Sequence, residues 1–121
     1  MRYIFLIYSQ ERSDPLPPDE VQTLMNNHWA VMQDSKQKGV LLGVDALKPT
    51  NTATTVRVND AQALITDGPF AETKEQLAGY YMLECKDLDE AIEWAKRIPT
   101  GCKGAEGCIE IRPIHELSRR P

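Results

Sequence analysis

The chain has 121 residues, a formal net charge of −4 and a sequence pI of about 5.2. That length predicts one domain with one core, in no need of a metal or disulfide staple. The acidic balance argues against a nucleic-acid or anionic-membrane surface, and no apolar run approaches the roughly 18 residues that span a bilayer.

From the start, Tyr3-Ile4-Phe5-Leu6-Ile7-Tyr8 is an unbroken β-branched and aromatic run. It predicts a central strand covered on both faces. The run is too short for a secretion signal and no small-residue cleavage site follows it, so a soluble, cytoplasmic protein is expected. A polar, proline-bearing loop leads to Pro17-Pro18-Asp19-Glu20. Proline in a first turn and acidic residues at the positive end of the dipole open a helix. Val21, Leu24, Met25, Val31 and Met32 recur at helical spacing, and Gly39 closes the helix. His28 falls on this stripe and is predicted to point towards the sheet. It is either a hydrogen-bonded histidine at the stripe's edge or a titratable group in a cleft. Trp29 beside it reads as packing or interface.

Val40-Leu41-Leu42-Gly43-Val44 is a second strand. Residues 52–58 alternate, with Thr54, Val56 and Val58 on one face, and Asn59-Asp60 turns the chain into a short strand at 63–66. This predicts a meander between the first helix and the segment beginning at Asp67. Thr73-x-x-Gln76 has capping-box spacing and predicts one helical turn. Residues 77–85 read as a strand. Asp87 caps a second helix whose buried stripe is Leu88, Ala91, Ile92, Ala95 and Ile98, stopped by Pro99. A Gly-rich loop precedes a closing strand over 108–114, with Ile109 and Ile111 opposite in facing to Glu110 and Arg112. The tail from Ser118 onward is expected to be loose.

Strand, helix, strands, strand, helix, strand is the split β-α-β order of a ferredoxin-like α+β domain: an antiparallel sheet with two helices on one face. The other face would be apolar and open, which predicts a homodimer.

Few residues carry chemistry. Cys85, Cys102 and Cys108, with His115 beyond them, lack zinc-site spacing and read as free thiols rather than a metal or redox pair. No phosphate-binding loop, dinucleotide fingerprint, nucleophile elbow or zinc-protease motif occurs, so neither a metal nor another cofactor is expected. The stretch Asp67-Gly68-Pro69-Phe70-Ala71-Glu72-Thr73-Lys74-Glu75 is different. Gly68 accepts positive φ and Pro69 stiffens the turn. A large apolar side chain and a carboxylate fixed there read either as a pocket wall or as a long hairpin with Phe70 tucked onto the core.

That stretch, followed by Gly79-Tyr80-Tyr81, resembles the signature of the DGPF branch of the YCII-related family. The resemblance extends to the first strand from Met1 to Tyr8, to Asp89-Glu90-Ala91-Ile92-Glu93-Trp94-Ala95, and to the last strand from Gly107 to Ile114. It implies a dimeric α/β barrel, with a cavity between the first-helix side of the sheet and the signature loop or within the barrel. Relatives proposed to be enzymes are read as using a His–Asp pair, whose roles fall here on His28 and Asp67. A carboxylate accepting from one imidazole nitrogen frees the other to move a proton. The expectation is therefore a cofactor-free acid–base enzyme acting on a small polar metabolite. Phe70 would be a pocket wall and Arg112 an anion contact, or else half of a cross-strand pair with Glu110 at the dimer rim. The alternative is a non-enzymatic ligand-binding or regulatory module, since the DGPF branch resembles proteins that accompany extracytoplasmic-function sigma factors. A haem- or oxygen-using monooxygenase of the same barrel type is disfavoured, because only His28 and His115 could serve as imidazole ligands.

Overall fold

A computed structural model describes residues 1–14, 16–101 and 106–118. The strand β1 (Arg2–Ser9) pairs on one side with β5 (Gln76–Glu84) and on the other with β6 (Gly107–Pro113). A further strand, β2 (Leu41–Ala46), closes the sheet beyond β5, giving the order β2-β5-β1-β6 with every pairing antiparallel. The helices α1 (Pro18–Gln37) and α2 (Leu88–Ala95) cover one face. Val31 of α1 and Ala91 and Trp94 of α2 join Tyr3, Phe5, Tyr81 and Leu83 in a single core. The predicted α+β class, antiparallel sheet and pair of helices are all present.

The expectation that the first strand is buried on both faces is corrected. Tyr3, Phe5 and Ile7 are buried beneath the helices, whereas Ile4, Leu6 and Tyr8 on the alternate positions are only half-buried. The run is continuous because the open face is itself apolar, a pattern that periodicity cannot separate from two-sided burial.

Local chemistry sets the helix ends. α1 begins with Pro18 and carries Asp19 and Glu20 in its first turn. Gly39 follows it with φ of 74°, the left-handed conformation that only glycine adopts without strain. In α2 the Asp87 carboxylate accepts the Glu90 main-chain N–H at 3.0 Å, the predicted cap. The two helices are tied together around Trp94. Lys38 and Arg97 lie over its ring at 5.3 and 4.9 Å from the centroid, and both donate to Asp34.

Two local predictions change. The capping-box spacing at Thr73 and Gln76 makes no helical turn. Thr73 Oγ1 donates to the Glu75 carbonyl and Gln76 Nε2 donates to the Thr73 carbonyl, while the Gln76 backbone already pairs with Ser9 in the sheet. Strand pairing takes the backbone and leaves the side chains to close a turn. The predicted meander is a separate hairpin, β3 (Thr54–Asn59) with β4 (Gln62–Asp67), outside the main sheet. Asp60 and Ala61 turn it with φ of 48° and 65°, both positive as a two-residue hairpin loop of this hand demands. Val56 lies opposite Ile65 and Val58 opposite Ala63, so one hairpin face is apolar, and those side chains are exposed.

The two tryptophans separate core from surface. Trp94 is buried whereas Trp29 is 51% exposed. Trp94→Ala is expected to cost about 3–5 kcal/mol in urea unfolding, and Trp29→Ala to stay within about 0.5 kcal/mol.

Candidate functional site

The core is incomplete where the middle of α1 faces β5 and β2. Small residues there, Ala46, Ala78 and Gly79, leave the sheet without bulk. Gly79 is required by close approach: a Cβ built on it would stand 2.6 Å from the Asp45 main-chain oxygen. The result is a cavity of about 390 Å³, within the size range of small-molecule sites. Leu24, Met25, His28 and Met32 of α1 form one wall, with Ile7, Val44 and Tyr81 of the sheet against them. Ser9 and the Pro99–Gly101 loop after α2 complete the lining.

The polar feature of this cavity is a histidine held by a tyrosine. Tyr81 is fully buried, and its hydroxyl lies 2.9 Å from His28 Nδ1 and 3.4 Å from the His28 main-chain oxygen. The two rings stack with centroids 6.0 Å apart and an interplanar angle of 18°. Proton counting assigns the tautomer. If Nδ1 carries the proton, it donates to the tyrosine oxygen, and the tyrosine proton goes to the carbonyl, so both contacts are hydrogen bonds. If Nε2 carries it, the one hydroxyl proton must serve either Nδ1 or the carbonyl. The first arrangement satisfies more groups and leaves Nε2 as a lone-pair acceptor. Nε2 has no hydrogen-bond partner among the described residues. Burial favours the neutral form of both rings: it lowers the His28 pKa from the usual 6.5 and pushes the Tyr81 hydroxyl up to about 12. At neutral pH the pair is an uncharged imidazole positioned by an uncharged phenol.

Of the residues singled out in the sequence, only His28 lines this cavity. Asp67 ends β4 opposite Thr54, is exposed, and borders a second hollow with Thr50, Asn51, Gly68, Pro69, Ala71 and Glu72. Within one chain no hydrogen bond joins Asp67 to His28 among the described residues, and the two line different hollows. Phe70 is 77% exposed and lines neither hollow. Arg112 stands on β6 opposite Ile4, on the sheet face away from the helices. The signature turn itself is built as its residues demand. Gly68 has φ of 97°, its N–H donates to the Ala53 carbonyl at 2.7 Å, and its carbonyl accepts from Thr55 Oγ1 at 2.8 Å.

Tyr81, which holds His28, has no role in the reading of the sequence. Tyr81 alternates with Leu83 onto the covered face, and a buried tyrosine must find a partner for its hydroxyl. That signal was legible in the Gly79-Tyr80-Tyr81 run. Its neighbour Tyr80 points to the open face, where its hydroxyl donates to Asp45 Oδ2 at 2.6 Å across the strand pair. Asp45 borders the cavity, with its carboxylate on that other face.

Among the described residues no group of three or more His, Cys, Asp or Glu side chains converges to hold a metal. Cys85 is buried and Cys108 exposed, both as free thiols, and Cys102 lies outside the described residues. No described helix is long and apolar enough to cross a membrane.

Comparison with known proteins agrees across the whole domain. The YCII-related domain family matches residues 1–118. An uncharacterised protein of Rhizobium meliloti (strain 1021) is 36% identical over 115 residues, covering 94% of this chain and 92% of its own length.

Titration of the histidine ring protons by NMR is expected to place the His28 pKa below 6.5. The sign for stability follows. The folded pKa is depressed, so the unfolded chain binds the proton more readily. His28's contribution is complete above about pH 6.5 and is lost as pH falls through its folded pKa. In Tyr81→Phe, ¹⁵N shifts should show the Nδ1–H tautomer giving way to Nε2–H.

Proposed function

The chain belongs to the YCII-related family, and we propose that it is a cofactor-free acid–base catalyst that moves a proton on a small molecule held in the cavity beneath α1. One observation carries the reading: His28 Nδ1 is engaged by a fully buried tyrosine, which leaves Nε2 without a partner among the described residues in a mainly apolar cavity. An imidazole of lowered pKa, neutral and pre-oriented, is a general base at physiological pH. His28 takes or returns the proton, and Tyr81 is the positioning residue. Its hydroxyl accepts from Nδ1–H in the resting state and more strongly when the ring becomes cationic, so it supports the charge that proton transfer creates. Tyr81 thus takes the orienting part that the resemblance gave to Asp67.

We also place the chain in the DGPF branch, on its Asp67–Glu75 signature, and propose a homodimer. A two-stranded hairpin is marginal in water by itself, yet Val56, Val58 and Ile65 project unpartnered from one face. The open face of the main sheet adds Ile4, Leu6, Tyr8 and Met82. By register Asp67 shares the apolar face of the hairpin, so a partner packed on that face meets Asp67 as well. Sedimentation at micromolar concentration should give a dimer, and Ile65→Lys should shift it towards monomer.

Acid–base chemistry can be read before the physiological reaction is known. Small molecules that raise the melting temperature are incubated with the protein in D₂O, and loss of ligand C–H signals is followed by NMR. At least one bound compound is expected to exchange. His28→Gln should slow that exchange by about 10²–10⁴-fold, with binding retained. Ligands that bind at His28 without exchange would favour the regulatory reading, a ligand sensor of the kind linked to sigma factors.

A further inference from the structure

We infer that the cavity beneath α1 selects an uncharged, mainly apolar molecule presenting one acidic C–H, O–H or N–H to His28, and that it rejects small anions and cations; this rests on the reading of His28 as the reactive base. The sequence suggested a polar metabolite with Arg112 as an anion contact, and the walls of the cavity argue otherwise.

The lining is aliphatic on both sides: Leu24, Met25 and Met32 from α1, and Ile7, Val44 and Ala78 from the sheet. Its side-chain polar groups are His28, the Tyr81 hydroxyl and the hydroxyls of Ser9 and Thr100. No lysine, arginine or glutamate lines it among the described residues. The one acidic residue at its border, Asp45, has its carboxylate bound by the Tyr80 hydroxyl on the opposite sheet face. Arg112 is on that opposite face, and Arg97 and Lys38 are committed to Asp34 and Trp94. A bound carboxylate, phosphate or ammonium would therefore leave water and find no counter-charge among the described residues that line the cavity, a penalty that hydroxyl groups alone do not repay.

The polar groups define the other half of the selection. With Nδ1 engaged by Tyr81, the free group at Nε2 is an acceptor, so the complementary ligand atom carries a proton. Ser9 and Thr100 are hydroxyls that can donate or accept, and they suit a carbonyl or hydroxyl elsewhere on the same molecule. An apolar body with one acidic position and a neutral oxygen is the molecule these walls describe.

A matched trio tests charge selection without knowledge of the natural substrate. Hexanamide, hexanoate and hexylammonium share a chain and differ in the head group. Each is titrated into the full-length protein at pH 8, where His28 is neutral, and binding is read from the His28 ring-proton signal, assigned with His115→Gln. Hexanamide is expected to move that signal at least tenfold more tightly than either ion. Met25→Lys, at a side chain already 38% exposed on the rim, is expected to shift the preference at least tenfold towards hexanoate relative to hexanamide. Hexanoate or hexylammonium moving the His28 signal as tightly as hexanamide in the unsubstituted protein would overturn the inference. The readout is binding, so its fate is separate from that of the catalytic reading. Neutral-selective binding with no proton exchange on any ligand upholds the ligand class and removes the catalyst. Exchange at His28 on a charged ligand bound as tightly as its neutral analogue does the reverse.

Discussion

The hydroxyl of Tyr81 has to be both buried and bonded, and much of the molecule follows from that. A phenol in a dry core costs free energy unless its oxygen finds a partner. The partner here is His28, on a helix 53 residues away in sequence. The bond ties α1 to β5 and holds a half-buried imidazole against the core. It also sets which imidazole nitrogen remains available. A single contact therefore serves the core and orients the imidazole, and burial favours the uncharged form of both rings.

The space beside that contact exists because three positions are small. Ala46, Ala78 and Gly79 could not be enlarged without filling the hollow, and at Gly79 the neighbouring backbone leaves no room for any side chain. The aliphatic character of the walls comes from the same source as the fold. They are the sheet-facing residues of α1 and the helix-facing residues of β1, β2 and β5, chosen for burial. A cavity cut from a hydrophobic core inherits its chemistry, which is why no lysine, arginine or glutamate lines it among the described residues.

The signature stretch has a different standing. Its Gly and Pro build the turn they predict, but the turn belongs to a hairpin that leaves the main sheet. Asp67 and Phe70 are exposed and do not line His28's cavity.

The sequence by itself determined the element order, the antiparallel α+β class, both helices with their caps, and the placement of His28 on the sheet-facing stripe. Each of these rests on local physics: periodicities of two and 3.6, turn chemistry, and capping within three or four residues. Alternation along β5 also carries Tyr81, with Leu83, to the covered face. Tertiary structure alone decided the pairings. That His28 meets Tyr81 depends on how α1 lies over β5, a contact between residues 53 apart in sequence. Strand pairing also overrode the capping-box spacing at Thr73, because a backbone N–H and C=O committed to a sheet cannot also close a helical turn. The two-sided reading of β1 failed for a related reason: an apolar face bounding a core and one left open have the same composition, and only the count of covering helices tells them apart.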